Sequence, residues 1–199
     1  MPRKTNKIKP KRTILLIVEG YTEKIYFSQM KVAENNQNIS IVPRMAKHSS
    51  LSIILNTAIK EKKENIYDDI WCVFDKDVLI ATGISEDLHK KIEDAKKSSI
   101  QFADSLPAFE IWFLLHYVLP KKYYKNQNEL ITDLKKYIKN YCKENDWLYK
   151  ENLYLKLKAL IPNAIANSKK LEQRNAGGQT NESSMCNVYK LIQSVIEEK

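Results

Sequence analysis

Glycine is scarce: four in 199 residues. Gly-rich loops that cradle phosphates need several glycines close together, so they are all but excluded. No apolar run reaches the roughly 18 residues of a membrane span, and no membrane partner is expected. The basic N-terminus is not followed by a signal-type apolar stretch and cleavage site, so export is not expected. The three cysteines, Cys72, Cys142 and Cys186, are scattered without metal-ligand spacing. They read as reduced thiols of a cytoplasmic protein.

Positive charge is plentiful, with a formal net charge of +9. A basic surface gains by releasing counterions at phosphates, so the expected partner is nucleic acid, DNA or RNA. Hydrophobic residues at 43% and charged residues at 29% match an ordinary globular chain, long enough for one large domain or a core with an appended lobe.

Residues 1–12 (MPRKTNKIKPKR) have no apolar period and read as a basic disordered arm, with phosphate contact as its use. From Thr13 the chain alternates. Strands are predicted at Thr13 to Val18, Ile39 to Val42, Asp69 to Phe74 and Ser99 to Ala103. Helices are predicted between them. One opens at Thr22, the next is capped by Ser49 or Ser50, and the third runs from Glu86 to about Lys97 behind a Ser85 cap. This order predicts an α/β fold: a four-stranded parallel sheet flanked by helices, over residues 13–105. Residues 106–199 then read as a helical lobe packed on that core. It comprises a buried helix from Phe109 to Leu119 and amphipathic stretches at Glu129 to Tyr141, Lys150 to Lys170 and Ser184 to Glu197. Pro162 is expected to break or kink the second stretch. Gln173 to Glu182 is the clearest loop.

The first strand, in ILLIVEG, ends at Glu19. The third, in IWCVFDKD, ends at Asp75 and Asp77. In extended chain, residues two apart point the same way, so Asp75 and Asp77 share a side and Lys76 points away. Ligands of an open α/β sheet bind at the carboxyl ends of its strands. Carboxylates crowded there repel unless a hard divalent cation offsets them. Glu19, Asp75 and Asp77 are therefore the candidate ligands of Mg²⁺ or Mn²⁺. Helix caps and strand-end solvation are the alternative for these three.

Glu19-Gly20 followed by Asp75-Lys76-Asp77 resembles the Toprim pattern shared by primases, type II and IA topoisomerases and OLD-family nucleases. A closer likeness covers most of the chain. RloB-like Toprim proteins of bacterial restriction and abortive-infection loci open with a strand, Glu-Gly, Thr-Glu and an aromatic, here VEGYTEKIYF. They also carry an Asn-Pro-x-Phe-Glu-x-Trp-Leu-Leu-Leu-His-aromatic stretch, here LPAFEIWFLLHY, with Leu106 in place of the Asn. The resemblance implies a metal-dependent nuclease of phage defence.

Other residues join the candidates. Glu110 and His116 are the only acid and base within the apolar helix. Six residues at about 100° each leave them roughly 120° apart, so both cannot face one site. Glu110, soon after the fourth strand, is a supporting carboxylate or further ligand. His116 is a core histidine or an acid–base. Glu23, one turn after Glu19, joins the metal site or simply favours the helix N-terminus. Arg44, Lys47 and His48 follow the second strand, and Lys169, Lys170 and Arg174 flank the Gly-Gly loop. Both groups are candidate phosphate contacts, with solvated loops as the alternative.

The expected function is Mg²⁺-dependent phosphodiester hydrolysis, with Glu19 as ligand or general base, Asp75 and Asp77 as ligands and Glu110 in support. The alternative is a non-catalytic nucleic-acid-binding or effector component of a defence complex. An ATPase or other defence-system subunit is a candidate partner. A HAD-type phosphatase fits less well. DKDVL imitates its Asp-x-Asp box, but that box follows the first core strand, and here a strand ending in Glu19 comes earlier. Topoisomerase or full primase activity is not expected, since little chain remains for their extra domains.

Overall fold

β1, Arg12–Val18, is a run of β-preferring residues whose last five are fully buried. Its side chains alternate between two apolar layers. Ile14, Leu16 and Val18 enter one, and Leu15 and Ile17 enter the other. That is the period-two geometry of a strand covered on both faces. β2, Ile39–Met45, and β3, Asp69–Asp75, pair with β1 in parallel, one on each side. β4, Gln101–Leu106, pairs in parallel with β3. This is a computed structural model that describes residues 11–34, 39–47, 50–77, 79, 83–176 and 184–196. Most of the basic arm, His48, Ser49 and part of the polar loop after Ala176 lie outside the described residues.

Among the described residues three helices fill the crossovers: α1, Tyr21–Glu34; α2, Leu51–Glu64; and α3, Glu86–Lys97. Ser50 and Ser85 cap α2 and α3, accepting the N–H groups of Ile53 at 3.4 Å and Leu88 at 3.3 Å. The α2 and α3 side chains Ile54, Leu55, Ala58 and Ala95 pack with Leu15, Ile17, Ile70, Cys72 and Phe74. On the opposite face, Ile25, Tyr26, Phe27 and Met30 of α1 pack with Ile14, Leu16, Trp71 and Val73. That second layer continues without a break into the helices of the second half.

Those helices are α4, Glu110–Leu115; α5, Gln127–Leu134; α6, Asn145–Glu151; α7, Leu153–Leu157; α8, Ile161–Ala176; and α9, Val188–Ile196. The buried helix expected from Phe109 to Leu119 is shorter. The expected Lys150 to Lys170 stretch is divided. Asn152 takes a left-handed φ of 44° and separates α6 from α7, and Lys158–Leu160 forms a 3₁₀ turn. Pro162 sits in the first turn of α8, where a missing N–H costs nothing, so it starts a helix instead of kinking one.

The sheet has five strands, not the expected four. β5, Met185–Cys186, pairs antiparallel with β4, and the order is β2-β1-β3-β4-β5. Two residues carry no readable period, which is why the pattern did not announce this strand. Asn187 locks it further: its N–H donates to the Asp104 carbonyl at 2.8 Å and its Nδ2 to Asp104 Oδ1 at 2.9 Å.

Candidate functional site

β1 and β3 lie side by side with Val18 opposite Val73, so the chain leaves both strands at one edge. Glu19 continues the ladder, donating its N–H to the Val73 carbonyl at 3.1 Å. Its side chain then turns back, and Oε2 accepts the Asp75 N–H at 2.9 Å. Glu23, in the first turn of α1, is buried behind it. A Cβ at residue 20 would stand 3.0 Å from Glu23 Oε2, so Gly20 leaves room for that second carboxylate.

Glu110 opens α4 just beyond β4 and is fully buried. Tyr141 Oη donates to its Oε1 at 2.8 Å, and Gln127 Nε2 to its Oε2 at 3.0 Å. Lys143 Nζ pairs with Oε1 at 3.2 Å.

The charges crowd. Burial first, and then Glu23, Glu110, Glu19 and Asp77, push the Asp75 carboxyl well above its ordinary range. Burial, with Glu110 and Glu19 adding and Lys143 opposing, pushes Glu23 up to about 7. Burial and Asp77 raise Glu19, while the Asp75 N–H and Lys143 pull it down. Asp75 Oδ1 is buried and has no hydrogen-bond partner among the described residues.

Glu19, Asp75 and the exposed Asp77 thus act on one another electrostatically across 56 residues of chain. The donor set suits a hard cation: every donor is oxygen, one oxygen is orphaned, and negative charge is in excess. Among the described residues no three His, Cys, Asp or Glu side chains are arranged to hold a metal ion. Mg²⁺ usually keeps several waters and takes one or two carboxylates, which does not require such a group.

Glu19 and Asp75 line two clefts. One, of about 580 Å³, runs between Ser50, Leu51 and Ser52 at the start of α2 and Ile84, Ser85 and Leu88 around the start of α3. The other, of about 330 Å³, is bounded by Tyr21, Thr22, Glu23, Lys143 and Asn145.

The remaining candidates lie elsewhere. Arg44 is paired with Glu61 and donates to Tyr67 Oη at 3.0 Å, so its guanidinium is committed to neighbours in and after α2. Lys47 is exposed just past β2. Lys169 and Lys170 are exposed on α8, where Lys169 Nζ lies 5.9 Å from the Tyr189 ring centroid. Arg174 donates to the Pro120 carbonyl at 2.6 Å, tying α8 to the segment after α4. His116 is a core residue. Its Nδ1 is 2.8 Å from the Trp112 carbonyl oxygen, its ring meets that of Trp112 edge-on, and burial pushes its pKa down to about 4. Lys143, Tyr141 and Gln127 carry no site signal in the sequence. They lie outside the strand-end motifs, and no short-range pattern links them to Glu110.

A mixed α/β sheet with an acidic edge at the carboxyl ends of its parallel strands defines the class. The chain belongs to the RloB-like family: the family model described as RloB-like protein matches residues 14–195. This agrees with the likeness carried by VEGYTEKIYF and LPAFEIWFLLHY. No curated protein and no solved structure matches the chain. Among the described residues no helix is long and apolar enough to cross a membrane.

Proposed function

We propose that this RloB-like protein is a Toprim-type nuclease of a bacterial phage-defence system. It hydrolyses phosphodiester bonds of DNA or RNA in the cytoplasm with Mg²⁺ or Mn²⁺. The observation that carries the reading is Asp75: its Oδ1 is buried without a partner among the described residues, amid other carboxylates, where two parallel strands end. A cation offsets that repulsion; one or two of Asp75, Glu19 and Asp77 would hold it directly and the rest through its waters. When bound, the ion supplies Lewis-acid polarisation of the phosphoryl oxygens and a more acidic water.

The chain's own residues position these groups. The Asp75 N–H holds one oxygen of Glu19 and leaves the other for ligation or for a water proton. Glu110, fixed by Tyr141 and Gln127, adds negative charge behind the edge and does not reorient. Both clefts reach the carboxylates, so a nucleic-acid strand entering either would meet the bound cation. The net positive charge of the chain favours a polyanionic substrate. The defence role follows from the family likeness, and an ATPase encoded nearby is a candidate partner.

The test is incubation of the pure protein, with Mg²⁺ or Mn²⁺, against single- and double-stranded DNA and total RNA, beside Glu19→Gln and Asp77→Asn. Metal-dependent cleavage by the wild type alone is the expected result. Binding without cleavage would favour the non-catalytic component instead.

A further inference from the structure

The smaller cleft beside the carboxylates holds one lysine among its lining residues, Lys143. It comes from the segment between α5 and α6, and so from the helical half of the chain. Its ammonium pairs with Glu110 Oε1 at 3.2 Å, while its side chain stays 46% exposed. Glu110 cannot follow the lysine outward. It is fully buried and held by Tyr141 on one oxygen and Gln127 on the other. The carboxylate therefore fixes where the ammonium sits, on the wall of the cleft that Glu19, Glu23 and Asp75 share. The lysine's charge acts on Glu19 and Glu23.

A divalent cation on this edge and the Lys143 ammonium repel one another. An anion lying between them offsets that repulsion, and a phosphodiester has the charge and the oxygens to do so. We propose that Lys143 contacts the phosphate being cleaved, and that Glu110 is the positioning residue that aims it. This rests on the nuclease reading. In the step, a water oxygen bonds to phosphorus as the bond to the leaving oxygen breaks. The water loses a proton to the free oxygen of Glu19 or to solvent, and the leaving oxygen gains one from solvent. The Lys143 ammonium compensates the charge on the phosphoryl oxygens.

The experiment compares full-length wild type, Lys143→Ala, Lys143→Arg and Glu110→Gln on single- and double-stranded DNA and total RNA with Mg²⁺ or Mn²⁺. It reads kcat and KM, the dependence of binding on salt, and thermal unfolding. Lys143→Ala is expected to lower kcat/KM by about 100-fold and to reduce the salt slope of binding by about 1. Its melting temperature should fall, because the buried Glu110 loses its paired cation, so rates and slopes are compared at a temperature where every variant is folded. Lys143→Arg should keep the slope and recover part of the rate. Glu110→Gln should lower kcat with the slope unchanged. Wild-type kcat/KM and slope in Lys143→Ala would overturn the proposal. If the wild type binds but cleaves none of the probes, the nuclease reading fails and the slope decides Lys143 on its own. A reduced slope then retains the phosphate contact, and an unchanged slope overturns it. If the wild type binds none of them, both readings fall.

Discussion

Glu19 and Asp75, 56 residues apart, are joined by one hydrogen bond of 2.9 Å from a backbone N–H to a carboxylate oxygen. The bond lies just beyond the last paired residues of β1 and β3, so it ties the two strand exits together. It also gives Glu19 a structural task that differs from its chemical one. Glu19→Gln keeps an acceptor for the Asp75 N–H and should unfold within about 0.5 kcal/mol of wild type. Glu19→Ala removes the acceptor and should cost about 1 kcal/mol. Urea titration measures both. Neither variant should cleave.

Asp75 is the reverse case, a residue that weakens the fold when no cation is present. Its carboxyl is pushed up by burial and by four neighbouring acids, so the charged form is disfavoured in the folded state. Asp75→Asn should raise stability in chelator by about 1 kcal/mol, or about 2–4 °C in melting temperature for a chain of this size. The same substitution should abolish metal-dependent cleavage. Calorimetry in EDTA and a cleavage assay in Mg²⁺ test the two halves separately.

Behind the site, the Trp112 indole N–H donates to Tyr26 Oη at 2.9 Å inside the core. Tyr26→Phe leaves that donor buried without a partner. The expected loss is about 2 kcal/mol, read from the denaturant midpoint. The aromatic contacts of Tyr26 with Phe109, Phe113 and Tyr154 survive in the variant, so the fold should persist.

His116 sets a pH dependence. Burial pushes its folded pKa down to about 4 from an ordinary 6.5, so the folded protein keeps it neutral where the unfolded chain protonates it. Between those values the unfolded state binds more protons, and stability is lost as pH falls. The contribution reaches about 3 kcal/mol across the window. His116→Leu should flatten this part of the acid limb. Urea midpoints at pH 7 and at pH 4.5 for both proteins check it.

The chain shows some of these features more openly than others. β1 and β3 are legible because both faces are covered, which forces unbroken apolar runs, and the acids that stop those runs mark the edge. Ser85, and Ser50 as one of two adjacent serines, are legible because capping is local chemistry. β5 is not, since two residues have no period and its place depends on Asn187 reaching Asp104, 83 residues away. The division of the Lys150 to Lys170 stretch hinges on one left-handed asparagine, Asn152, which reads in sequence as a tolerable helix residue. Pro162 announces a boundary but not its sense. In the site, Glu19 and the Asp75–Asp77 pair stand at strand ends and draw notice. Lys143, Tyr141 and Gln127 stand in or near connecting segments and meet Glu110 only through tertiary packing.

The most direct measurement is Mn²⁺ binding followed by electron paramagnetic resonance, in which the free aquo ion gives the signal and the bound ion loses it. Titration into wild-type protein should deplete the free signal, excess Mg²⁺ should restore it, and Asp75→Asn should leave it largely intact. An undiminished signal with wild type, or equal depletion by Asp75→Asn, would contradict a cation site at this edge of the sheet.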